Sequence, residues 1–118
     1  IKWHGEISGE DMAKLMYQAD ICISAGGQTL HELAYIGVPT ICIKTGEDQV
    51  LNIEGYLEAG FLMKNFPLLS NILPIRLSSL LEEYNDLELR QNTTSKGKAF
   101  IEGLGARKIA KLISQSVI

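Results

Sequence analysis

The chain has 118 residues, 46% of them hydrophobic and 21% charged, and its 11 basic and 14 acidic side chains leave a formal charge of −3. That length holds one domain with a real core, and the composition excludes a disordered tail. No apolar run approaches the ~20 residues of a membrane-spanning helix, and net acidity argues against a nucleic-acid binder that neutralises phosphates.

In chain order, residues 1–4 read as the tail of a strand. Residues 9–19 read as a helix: Met12, Leu15, Met16 and Ala19 recur on one face, and Ser8 is placed to cap its start. Residues 20–25 are nearly continuously apolar, as in a parallel strand buried on both faces. Gly26 and Gly27 break that run. A helix is expected over residues 28–36, with Leu30, Leu33 and Ala34 inward and Gly37 as its C-terminal cap.

Residues 39–43 predict the next strand, with Pro39 at its first position, where a missing N–H is harmless. A polar loop over 44–48 leads into a helix with an inward stripe of Val50, Ile53 and Leu57, ended by Gly60. Residues 61–63 suggest a short further strand, and 65–71 a loop. Helical stretches follow over about 72–83 and 87–99, and a last helix over 106–116 carries Ile109, Leu112 and Ile113 at core spacing. No repeat or linker divides the chain.

Strands alternating with helices imply parallel pairing through right-handed crossovers, hence a doubly wound, Rossmann-like α/β domain. Ligands of such sheets bind beyond the carboxyl ends of the strands. Three junctions qualify: around Gly5, residues 25–29 and residues 44–52. Cys22 and Cys42 each lie inside an apolar run and read as reduced, buried thiols. His4 and His31 stand at no ligand spacing from them, so neither metal nor cofactor is expected. With no charged-then-apolar leader segment, the expected compartment is the cytoplasm.

The second junction is the most informative. Ser24-Ala25-Gly26-Gly27-Gln28-Thr29 is a tight turn before a helix, where backbone N–H groups and the helix dipole suit a phosphate. Its bland reading is a sharp turn that binds nothing. There is no G-x-G-x-x-G fingerprint and no Walker lysine, which disfavours dinucleotides and P-loop hydrolysis. Glu32, three residues after Thr29, can accept from two adjacent ribose hydroxyls, or it can merely complement the helix dipole. Gln49 and Asn52 share one helical face, as ligand contacts or as an ordinary polar surface. His31 is expected as a surface residue of its helix.

Taken in order, residues 25–34, Gly37-Val38-Pro39-Thr40-Ile41, Asp48-Gln49-Val50-Leu51-Asn52 and Ala59-Gly60 form a signature. It resembles the C-terminal nucleotide-sugar-binding half of GT-B enzymes, as in the family-28 glycosyltransferases. Met12 to Met16, Ile23 to Leu30 and Ile101 to Arg107 look most like the UDP-sugar hydrolase of pseudaminic acid biosynthesis and related spore-coat polysaccharide proteins. The resemblance implies that Gly26, Gly27 and Thr29 hold the diphosphate of a UDP-sugar and Glu32 the ribose, with Gln28, where relatives often have Ser, among the substrate-binding residues. It places Gln49 and Asn52 toward sugar and phosphates. It also implies one nucleotide-sugar-binding domain over residues 1–118, a fragment of a two-domain hydrolase or glycosyltransferase whose catalytic base lies on an N-terminal partner domain. A non-catalytic nucleotide-binding or interaction module is the rival. By the same resemblance, residues 1–4 and 21–24 are the third and fourth strands of their sheet. The fourth then lacks its usual neighbour, and either the third shifts beside it or two chains join through the exposed edge.

Overall fold

A computed structural model of the chain describes residues 5–63, 65–67 and 73–116, with side chains described over 5–63 and 74–104. The expected strand at residues 1–4 lies outside the described residues. Helix α1 (Gly9–Gln18) starts where Ser8 stands as cap, its Oγ accepting from the Asp11 N–H at 3.1 Å. The helix turns only Met16 into the core. Met12 and Leu15, expected inward beside it, are exposed.

Strands β1 (Cys22–Ala25), β2 (Thr40–Lys44) and β3 (Asn65–Pro67) form a parallel sheet in the order β1-β2-β3. Cys22 lies opposite Thr40, Ala25 opposite Ile43, and Cys42 opposite Asn65. Each crossover carries a helix: α2 (Gln28–Ile36) between the first two strands and α3 (Val50–Ala59) between the last two. Helices α4 (Leu73–Glu83) and α5 (Leu87–Ser116) complete the order. This is the expected Rossmann-like arrangement.

Helix α2 has the expected bounds, and its spacing explains its packing. Leu30, Leu33 and Ala34 are fully buried against Met16, Cys42, Ile53 and Tyr56. Gly37 ends it at φ 92°, a conformation that costs glycine nothing, and the N–H groups of Gly37 and Val38 return to the Leu33 carbonyl. Thr94 of α5 then donates to the Gly37 carbonyl at 2.8 Å, fixing α5 against the end of α2.

The other sheet face is covered over β2 by Leu80 and Tyr84, which bury Ile41. Strand β2 is thus buried on both faces. Strand β1 is not. Cys22 and Ser24 are half-buried, while Ile23 is 46% exposed and Ala25 is exposed, because the Leu80–Tyr84 cover centres on Ile41. The expectation of a strand buried on both faces fails there, and among the described residues the outer edge of β1 pairs with no strand.

Two further differences have local causes. Residues 61–63 are apolar but form no strand: the N–H groups of Phe61 and Leu62 both return to the Tyr56 carbonyl, closing α3 beyond Gly60. Their side chains fill the core instead, and the strand begins at Asn65, inside the expected loop. The two last helices are one, since glycine costs only about 1 kcal/mol in a helix interior and no proline intervenes. Gly97 also has a packing reason: a Cβ there would lie 2.9 Å from Phe61 Cε1. Ile109, Leu112 and Ile113 lie beyond the described side chains. Among the described residues no helix is long and apolar enough to cross a membrane.

Candidate functional site

The carboxyl ends of β1 and β2 meet at the Gly26–Gly27 turn, and the chain there has no spare room. Gly26 is buried, and a Cβ on it would lie 2.6 Å from both Cδ1 and Cγ1 of Ile53, a core residue of α3. Only glycine lets the turn sit this close to α3. Gly27 is less confined: its nearest neighbour to a Cβ would be Gln49 Nε2 at 3.9 Å. Gly27 stands at the N-cap of α2 without a side chain to cap the helix, and the Leu30 N–H bonds the Gly27 carbonyl at 3.1 Å. The first N–H groups of a helix have no intrahelical acceptor, and the helix dipole adds a partial positive charge. That combination attracts an anion.

Gln49 and Asn52 take hold of this turn from α3's side. Gln49 closes the 3-10 turn Glu47–Gln49 and immediately precedes α3. Its Oε1 accepts from the Gly26 N–H at 3.3 Å and the Thr45 N–H at 2.8 Å, while its Nε2 donates to Thr45 Oγ1 at 2.8 Å. Asn52 Nδ2 donates to the Gly26 carbonyl at 3.3 Å. Because the 26–27 peptide is trans, holding that carbonyl toward Asn52 turns the Gly27 N–H the opposite way. Both amides thus engage the protein's own loops, joining turns 23 and 26 residues apart in sequence.

Gln28, Thr29 and Glu32 lie on the exposed part of α2's first two turns. The structure therefore brings Gly26, Gly27, Gln28, Thr29, Gln49 and Asn52 to one end of the sheet, with Glu32 one turn further along α2. A hollow of about 560 Å³ at the start of α5, lined by Asp86, Glu88 and Gln91 among others, holds none of these residues.

Two residues escape sequence reasoning. Thr45 lies inside the 44–52 junction but nothing in its type or spacing singles it out; Gln49 draws it into the site. Tyr56 is fully buried, and its hydroxyl meets His31 Nδ1 at 2.7 Å, with the two rings 5.5 Å apart. Burial pushes the Tyr56 phenol up to about 12. His31 is therefore half-buried between α2 and α3 rather than a plain surface residue. A buried phenol needs a partner, and an apolar stripe with a tyrosine one turn below it was the available signal.

Residues 9–113 match the glycosyltransferase family 28 C-terminal domain. The chain is 28% identical over 108 residues to the spore coat polysaccharide biosynthesis protein SpsG of Bacillus subtilis (strain 168), an alignment covering 87% of this chain and 30% of that protein. It thus spans under a third of that relative's length. No solved structure matches it significantly. With the family match running from the first residue of α1 almost to the end of α5, the chain belongs to the glycosyltransferase family 28 C-terminal domain family.

Proposed function

We infer that this domain binds the UDP moiety of a nucleotide sugar at the Gly26–Thr29 turn, as the donor-binding half of a surface-polysaccharide enzyme. The observation that carries the reading is the uncapped start of α2, drawn against α3 by a glycine that no other residue replaces. The backbone N–H groups of Gly27, Gln28 and Thr29, with the Thr29 hydroxyl, receive the diphosphate. Glu32 accepts from the two ribose hydroxyls, and Gln49 and Asn52 hold the Gly26 turn in place behind the ligand. Oriented donors at the diphosphate stabilise UDP as it leaves, whichever acceptor attacks.

In this reading the sugar passes to water, the parent enzyme being a UDP-sugar hydrolase of polysaccharide or nonulosonic acid biosynthesis, with its general base on an N-terminal partner domain across the cleft. The glycosyltransferase family match supports a second reading, transfer of the same sugar to an alcohol. Both need the same UDP site. Calorimetric titration with UDP and with deoxyuridine diphosphate tests it: Glu32→Ala weakens UDP by about 1–3 kcal/mol and leaves the deoxy compound less affected. Equal UDP affinity of wild type and variant removes Glu32 from the site.

A further inference from the structure

The side-chain amide of Gln49 has a fixed orientation. Only a carbonyl oxygen can accept from two N–H groups, so Oε1 faces Gly26 and Thr45 and Nε2 faces the Thr45 hydroxyl. An amide NH2 can only donate. Thr45 Oγ1 is therefore the acceptor of that 2.8 Å bond, and its own proton is turned elsewhere. Thr45 is exposed at the carboxyl end of β2, and its backbone N–H shares one oxygen with that of Gly26. A single amide group separates this hydroxyl from the turn at the start of α2.

We propose that Gln49 is a positioning residue rather than a ligand contact, and that the Thr45 hydroxyl it orients donates to the distal phosphate of the bound nucleotide. The proposal rests on the UDP reading above. The Gln49 carbonyl oxygen is filled by two backbone N–H groups, so accepting from a sugar hydroxyl would require breaking bonds that hold two loops together. The Thr45 proton has no such commitment to Gln49. A hydroxyl donating to a charged oxygen forms one of the stronger kinds of hydrogen bond.

The test uses calorimetric titration with UDP, UMP and UDP-N-acetylglucosamine. Thr45→Val, which keeps the shape and loses the hydroxyl, weakens UDP by about 10- to 100-fold, and Thr45→Ser stays within about threefold of wild type. UMP, lacking the distal phosphate, binds Thr45→Val and wild type alike. Gln49→Met weakens UDP as well, and adding Thr45→Val to it weakens UDP little further, because the hydroxyl is already misdirected. Circular dichroism checks that the variants keep their helices. Wild-type UDP affinity in Thr45→Val, while Glu32→Ala still weakens UDP, overturns this proposal and leaves the UDP site standing. Loss of affinity for UDP-N-acetylglucosamine but not UDP in Gln49→Met also overturns it, by making Gln49 a sugar contact. No binding of UDP by wild type at millimolar concentration removes the UDP reading and this proposal together.

Discussion

Gly26→Ala is the sharpest probe of how the site is built. The added Cβ meets Ile53 Cδ1 and Cγ1 at 2.6 Å and Gln49 Cβ at 3.3 Å. Carbon atoms at rest lie about 3.5–4.0 Å apart, so close to 1 Å must be recovered. Ile53 is 1% exposed and packed in the main core, so it cannot simply swing into solvent. Overpacking of this kind costs about 1–3 kcal/mol, which lowers the melting temperature by about 4–12 °C in a domain of this size. Gly27→Ala, with its nearest neighbour at 3.9 Å, costs less than about 1 kcal/mol. Thermal and urea melts followed by circular dichroism compare the two. A double-mutant cycle isolates the cause: Ile53→Ala removes both colliding carbons, so Gly26→Ala costs less in that background by a coupling of about 1–3 kcal/mol. Equal stability of Gly26→Ala and Gly27→Ala, or no coupling with Ile53, refutes the close approach.

Other expectations follow from the same contacts. Thr94→Val removes the bond to the Gly37 carbonyl and destabilises the α2–α5 contact by about 1 kcal/mol, read from urea midpoints. Tyr56→Phe loses the hydroxyl held by His31 and costs about 0.5–1.5 kcal/mol, and His31→Ala costs more if it strands that hydroxyl in the core. Burial pushes Tyr56 up to about 12, and burial together with the nearby Glu83 carboxylate does the same for Tyr84; burial pushes Cys42 up to about 11. Groups raised in the folded state stabilise it below their unfolded values, so stability falls from about pH 9 for the thiol and about pH 10 for the phenols. Denaturation midpoints across that range show the decline, and Tyr56→Phe with Tyr84→Phe flattens its upper part. A decline unchanged in the double variant contradicts the assignment.

What could be read from residues alone was whatever depended on neighbours in sequence. Helix α2 was legible because its apolar spacing, its glycine start and its Gly37 end all agree. The Phe61–Met63 apolar run misled because burial, not pairing, is what it satisfies: the α3 end claims its N–H groups first. Strand β3 was hidden because Asn65, Phe66 and Pro67 carry no strand signature, and register with β2 alone defines it. The exposed face of β1 depends on how far the α4 cover reaches, which no property of Ile23 announces. In the site, Gln49 and Asn52 were legible as a polar pair on one face. That they grip Gly26 rather than open solvent could not be read, since it follows from two crossovers that bring distant turns together.

The central claim is that a nucleotide diphosphate sits on the glycine turn between β1 and α2, and amide-resolved NMR titration with UDP tests it most directly. The account predicts that the N–H signals of Gly26, Gly27, Gln28, Thr29 and Thr45 move together and saturate, while those of Gln91, Asn92 and Ser95 around the hollow on α5 stay in place. Saturable shifts confined to α5, or no shift anywhere at millimolar UDP, would contradict it.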